Sequence, residues 1–223
     1  MITGAMVRIL QLSCLVMLAS IFTYSQAQEQ ASVTFALDFP GSVPEHYSIR
    51  VQSDGKAHYE SSGKFFPDSE ERDSFALECN VSSATRQKIF DLAAKAGYFQ
   101  KDLDSHRKNM AFTGKKTLAY KDAQRSAEST YNFPSDPAVQ ELTDVFQNLS
   151  ATLELGHRLD YDRRYQKLAL DEELKRAEEM ARTTPLVELQ AIVSVLQQII
   201  DDPGVINVSR ARAQRLLQQL GGR

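Results

Sequence analysis

From Val33 onward, apolar and polar residues alternate strictly. Val33, Phe35, Leu37 and Phe39 are separated by Thr34, Ala36 and Asp38, the period of a strand with one buried face. Pro40-Gly41 ends that run, and Tyr47, Ile49 and Val51 alternate with Ser48, Arg50 and Gln52 in a second strand. Ser53-Asp54-Gly55 then leads into Ala57 and Tyr59. A two-residue Asp-Gly turn would set Val51 opposite His58 and mix the two faces. A three-residue loop sets Val51 opposite Ala57 and Ile49 opposite Tyr59, so the pattern predicts that loop, with Gly55 at positive φ.

Ser62 to Asp73 is polar and reads as a loop, and Phe75, Leu77, Cys79 and Val81 alternate again as a one-faced strand. Ser82 or Ser83 caps a helix in which Ile89, Leu92, Ala93 and Ala96 share a face. Gly97 stops it, and Tyr98 and Phe99 fold back onto it. Gln100 to Gly114 is a second polar loop, followed by short strands at Leu118 and Tyr120 and at Ala127 to Phe133. Asp136-Pro137 then starts a helix, because Asp is a good N-cap and Pro is tolerated at the first helical position. Val139, Leu142, Val145, Phe146, Leu149 and Leu153 recur at spacings of three and four as one stripe.

The stretch from Asp136 to Arg182 reads as one long helix or two end to end, and its character changes beyond Gly156. Arg158 to Arg182 is crowded with charge of both signs, which predicts a solvated segment laced with i,i+4 pairs. The stripe Tyr161, Tyr165, Leu168 slips by two to Leu170, Leu174, Ala177, which disfavours a long coiled coil. Thr184-Pro185 starts a further helix. Its face, Leu186, Leu189, Ile192, Val193, Leu196, Ile199 and Ile200, must either fold back on neighbouring helices or meet another subunit. A last helix begins near Asn207 or Ser209, with the stripe Ala213, Leu216, Leu217 and Leu220.

Strands buried on one face point to an antiparallel sheet with helices on the other side. The expected class is α+β: a sheet of five to six strands with helices on one face, followed by an all-helical C-terminal extension. The expected division is a signal peptide at 1–27, an α+β domain at 28–155 and a helical region at 156–223. The signal reading rests on Arg8, the apolar run Ile9 to Tyr24 and Ser25-Gln26-Ala27 as a small-x-small cleavage site; the segment is either cleaved or retained as an anchor. Cys14 leaves with a cleaved signal, so Cys79 stands alone and no intrachain disulfide forms. With a net charge of −3 over 223 residues, no basic surface is implied and nucleic acid is a poor partner.

No G-x-S-x-G, Walker or G-x-G-x-x-G motif occurs, and His46, His58, His106 and His157 have no ligand pair at helical or hairpin spacing. No catalytic residue, metal site or cofactor is therefore assigned. Cys79 shares its strand face with Phe75 and Leu77 and reads as a small buried hydrophobe. The loop Lys101 to Lys116 gathers His106, Arg107 and Lys108 with Met110 and Phe112, a candidate surface for an anion or acidic partner, set against a plain solvated loop diluted by Asp102 and Asp104. Phe65-Phe66 either tucks under the sheet edge or is exposed for binding. Ile192 and Leu196 are the candidate association residues of the tail.

The S-D-G-K hairpin feeding Ala57-His58-Tyr59, the helix ending Ala93-Ala94-Lys95-Ala96-Gly97-Tyr98-Phe99, the two short strands and the helix beginning at a Pro together resemble an order found in bacterial secreted domains of unknown function. The resemblance covers about half the chain and leaves out the helical tail. It implies an α+β fold and an exported location, and carries over no catalytic residue. The expected function is a non-enzymatic binding or structural module of the cell envelope, periplasmic or secreted. The tail would serve self-association or docking to a protein partner, with no membrane contact after signal cleavage. The alternatives are a hydrolase with a spatially assembled site near the Lys101 to Gly114 loop, and an inhibitor or peptide binder that uses a sheet edge.

Overall fold

The computed structural model describes residues 30–66, 70–183 and 188–221. The expected signal segment, the helix start at Thr184-Pro185 and Leu186 lie outside the described residues. Six strands, β1 (Ser32–Asp38), β2 (His46–Gln52), β3 (Lys56–Lys64), β4 (Arg72–Asn80), β5 (Lys115–Lys121) and β6 (Ser126–Tyr131), form one antiparallel sheet in the order β4-β3-β2-β1-β5-β6. Helices α1 (Ser83–Lys95) and α2 (Pro137–Tyr165) pack on one face of it. Helices α3 (Leu170–Thr183), α4 (Val193–Asp201) and α5 (Asn207–Gly221) form the C-terminal helical stretch. The chain is α+β, as the pattern predicts.

The hairpin register follows from burial. Ile49 lies opposite Tyr59 and Val51 opposite Ala57, and Gly55 has φ +94°, a value open to glycine at no steric cost. One feature differs: the polar stretch expected as a loop from Ser62 is partly strand. Ser62, Gly63 and Lys64 pair with Ser74, Asp73 and Arg72, because ladder hydrogen bonds satisfy backbone groups whatever the side chains carry. Helix α1 is capped by Ser82, whose Oγ accepts from the Thr85 N–H at 3.2 Å, and α2 by Asp136, which accepts from the Ala138 N–H at 2.7 Å.

The first core lies between the sheet and the helices. Phe35 stacks on Phe146 of α2 with ring centroids 5.4 Å apart, amid Val33, Ile49, Tyr59, Ile89 and Leu142. Each such side chain contributes about 1.5–3 kcal/mol by leaving water. A second core holds Leu155 and Leu159 of α2 against Leu170, Leu174 and Ala177 of α3, Ile192, Leu196 and Ile199 around α4, and Ala213 and Leu216 of α5. Helix α2 therefore serves both cores, and from Leu149 to Gly156 every residue except Ala151 is buried.

Gly156 does not break the helix. A Cβ there would stand 2.6 Å from Ile192 Cγ2, so glycine lets the chain before α4 press onto α2. The break falls instead at residues 166–169, where the apolar stripe slips. The charged tail is also more than a solvated surface. Arg212 of α5 reaches Glu178 at 2.7 Å and Asp171 at 3.0 Å, and Arg215 reaches Glu178 at 2.8 Å, so α5 is clamped onto α3 across its own apolar stripe. Burial alone raises the Glu178 pKa, but the hydrogen bonds from Arg215 and Arg212 bring it below the usual range.

Gly156→Ala should lower stability even though alanine favours an exposed helix by about 1 kcal/mol over glycine, because overpacking costs about 1–3 kcal/mol. Adding Ile192→Leu, which deletes Cγ2, should recover part of the loss. Urea melts of both singles and the double decide it; additive effects would mean the contact is slack.

Candidate functional site

Helices cover one face of the sheet, and the alternate residues of every strand form the other. A single row crosses all six strands there: Glu128, Ala119, Thr34, Arg50, His58 and Glu78 lie side by side from β6 to β4. Most polar groups on this face are tied to a neighbour. His58 Nδ1 lies 2.6 Å from Glu78 and its Nε2 3.8 Å from Glu60. The Ser48 hydroxyl donates to Glu60 at 3.0 Å, and His46 pairs with Asp38 at 2.6 Å. Such cross-strand pairs hold the surface in one arrangement.

Arg50 is different. It is exposed at the middle of the row, between Thr34 and His58, and its guanidinium makes no hydrogen bond or ion pair with another described residue. Two shallow clefts meet at it. One, of about 310 Å³, runs toward Lys56, His58 and Glu78. The other, of about 460 Å³, runs toward Ser32, Thr34, Gln52, Lys121 and Glu128. A guanidinium offers several donors in a planar fork that suits a carboxylate or sulfate held in two places, and the hydroxyls and amides beside it suit a polar ligand. Sequence reading recorded Arg50 only as a polar position between Ile49 and Val51. The signal was nevertheless present, since the predicted register sets it opposite a histidine rather than a carboxylate.

The residues nominated on the second loop are anchored differently from one another. Asp104 ties the loop to the end of β6, its carboxylate accepting from the backbone N–H of Asn132 and of His106, both at 2.6 Å. These hydrogen bonds, the Asn132 one foremost, hold the Asp104 carboxyl below the usual range. His106 is exposed with Nε2 2.7 Å from Asp102, and the hydrogen bond to Asp102 raises its pKa. Arg107 and Lys108 are exposed, and Phe112 is 58% exposed with its ring edge against Phe39 at 5.8 Å. Lys116, grouped with these cations in the sequence, points inward instead. Its Nζ donates to Thr113 Oγ1 at 2.9 Å and to the carbonyl of Asn132 at 3.0 Å, and burial lowers its pKa.

The other nominated residues are packed. Phe65 is buried against Tyr161 and His157 of α2, at 4.7 and 5.0 Å between centroids, with half-buried Phe66 beside it. Ile192 and Leu196, nominated for association, are 2% and 0% exposed inside the second core. That placement corrects the nomination: the apolar face folds back on α2 because Gly156 leaves room for it. Cys79 is half-buried, and burial raises its thiol pKa, which leaves it a poor nucleophile. Ser61, His157 and Asp73 line one small space without forming a triad. His157 Nε2 meets Asp73 at 2.6 Å, but Ser61 donates to Glu154 at 2.6 Å, and the space beside them is about 10 Å³. Among the described residues, no three His, Cys, Asp or Glu side chains are placed to share a metal ion. The sheet edges carry charge, with Arg72, Asp73 and Glu78 on β4 and Glu128 on β6, which blunts strand addition.

No helix among the described residues is long and apolar enough to cross a membrane. No family model matches the chain, and no curated protein matches it.

His106 should titrate above the ordinary histidine value, and Asp102→Asn should bring it down, as read by NMR of the ring carbons. A raised histidine pKa adds stability below the unfolded value of about 6.5 and loses it as pH rises through the folded value. The variant should therefore show less stability than the parent at acid pH and the same at pH 8. An unchanged His106 titration would contradict the pairing.

Proposed function

We propose that this chain is an exported, non-catalytic binding module whose uncovered sheet face seats a polar ligand bearing a carboxylate or sulfate on Arg50. The observation that carries the reading is an exposed guanidinium with no partner among the described residues, placed where two clefts meet. Thr34, Ser32 and Gln52 supply hydroxyl and amide groups around it, which suits a hydroxyl-rich anion such as an acidic saccharide. Ligands of that kind gain orientation from the bidentate contact and affinity from several polar contacts on a surface already held rigid. The export reading rests on Arg8, the apolar run to Tyr24 and Ser25-Gln26-Ala27.

A second reading keeps a docking role for the tail, through a different surface from Ile192 and Leu196. Tyr165 and Leu168 are 69% and 88% exposed at the turn after α2. The Lys167–Asp202 ion pair, at 2.9 Å, sets that turn beside the loop carrying half-exposed Ile206. Exposed apolar groups gathered at one end favour contact with a protein partner or a second copy.

Two measurements separate the readings. Titration of the ¹⁵N-labelled chain with an acidic oligosaccharide should shift amides of β1, β2 and β3, and Arg50→Ala should abolish the shifts at an unchanged melting temperature. Lys95→Ala, on the helix-covered side, should bind like the parent. Retained binding in Arg50→Ala would remove the first reading. Light scattering should give a larger mass at higher concentration if the tail end self-associates, and Leu168→Asp should then restore the monomer.

A further inference from the structure

The loop from Lys101 to Gly114 carries a segment that the fold holds away from itself. Every residue from 106 to 113 is exposed, among them Met110 at 38% and Phe112 at 58%. Hydrogen bonds on both sides of Phe112 set its position. The Asn132 side chain accepts from the Thr113 N–H at 2.9 Å and donates to the Ala111 carbonyl at 3.1 Å. The residues flanking Phe112 are thus tied to one amide just past the end of β6, and Asp104 holds the Asn132 backbone N–H in turn. Single exposed apolar side chains are ordinary, but two within three residues, on a segment braced outward, mark a contact surface.

Charge on the same segment says what the surface fits. Arg107 and Lys108 lie on the turn between His106, at φ +49°, and Asn109, at φ +64°, and Lys101 is exposed at the base of the loop. None of these three cations makes a side-chain hydrogen bond or ion pair with another described residue. The acids of the loop do not offset them, because both are engaged: Asp102 pairs with His106 at 2.7 Å, and Asp104 accepts the backbone N–H groups of His106 and Asn132.

So short a segment is small for a protein interface, which engages about 20–30 residues a side. A bilayer needs no matching surface. Apolar side chains enter its headgroup boundary, and cations beside them meet the negative surface. The stems of Arg107 and Lys108 can follow the apolar layer while their charged ends stay among the headgroups.

We propose that the tip from Arg107 to Phe112 seats the protein on an anionic lipid bilayer, with Met110 and Phe112 in the headgroup boundary and Arg107, Lys108 and Lys101 against the anionic headgroups. The contact is peripheral, and the tip spans nothing. Sequence reading expected no membrane contact once the signal is removed. The exposure of Met110 and Phe112, which no periodicity announces, changes that. The inference does not rest on the ligand proposed for Arg50, which lies on the sheet face.

The chain contains no tryptophan, so Phe112→Trp in the full chain places its one indole at the tip. The emission should shift to the blue on adding vesicles of equal parts phosphatidylglycerol and phosphatidylcholine, and stay unchanged with phosphatidylcholine alone. Val208→Trp, at an exposed position of α5, should show no shift with either, which separates docking by the tip from adsorption through the signal segment. Adding Arg107→Gln and Lys108→Gln to Phe112→Trp should weaken vesicle affinity roughly thirtyfold, as removing two cations from an anionic surface does, at an unchanged melting temperature. Raising the salt concentration should weaken it as well. A shift with polyglutamate and none with vesicles would assign the tip to an acidic protein and overturn the proposal. So would the absence of any shift, an equal shift at Val208, an equal shift with both kinds of vesicle, or full affinity without Arg107 and Lys108.

Discussion

The structure depends on α2 staying helical while it buries different sides of itself in succession. Its first half gives Val139, Leu142, Phe146, Leu149 and Leu153 to the sheet, and Leu155 and Leu159 then face the C-terminal helices. A helix that changes its buried side must be enclosed all round at the change, and polar groups caught there need partners. Glu154 is caught there and is satisfied by the hydroxyls of Tyr59 and Ser61, both donating at 2.6 Å. Burial, and then the Glu154 charge, drives the Tyr59 pKa upward, which keeps the phenol a donor. On the far side Gly156 leaves the space that Ile192 fills. Those two contacts join the sheet to the tail through a single helix.

That arrangement decides which surfaces remain free. Both helices packed on the sheet lie on its apolar face, so the opposite face meets water and presents Arg50. The tail uses its broadest apolar face internally, so Ile192 and Leu196 are core, while the uncovered sheet face and Leu168 stay exposed. Charge does tertiary work here more than in a simple amphipathic tail. Arg158, Lys167, Arg212 and Arg215 each reach a carboxylate on a different helix or loop. Paired in this way, partly buried charges hold α3 and α5 in register as well as their apolar stripes do.

The sheet was legible because alternation with period two is a local signal. Val33 to Leu37, Tyr47 to Val51 and Phe75 to Cys79 each announce one buried face, and keeping that face continuous selects the three-residue turn at Gly55. The strand ends at Ser62 to Lys64 were not legible, since backbone pairing leaves no trace in polar side chains. The helix break was half legible. The slip from Leu168 to Leu170, which in the sequence speaks only against a coiled coil, coincides with the break, whereas Gly156 suggested a break and instead marks a close contact between segments 36 residues apart. Arg50 was placed on the open face but its isolation was not legible, because isolation is a property of the cross-strand neighbours. Asp162 was counted among solvated charges, although its spacing from Leu155 and Leu159 already put it on the buried stripe. Only the fold-back of α3 turns that spacing into burial.

The central claim is that α2 is one unbroken, two-sided helix that makes the sheet and the tail a single cooperative unit. Native-state hydrogen exchange of the amides from Leu153 to Leu159 tests it most directly. The account predicts protection there as high as that of Val145 to Leu149, lost together with the sheet amides in one transition as urea is raised. Exchange at Leu155 to His157 as fast as in the loop around Lys108, with the tail opening separately from the sheet, would contradict it.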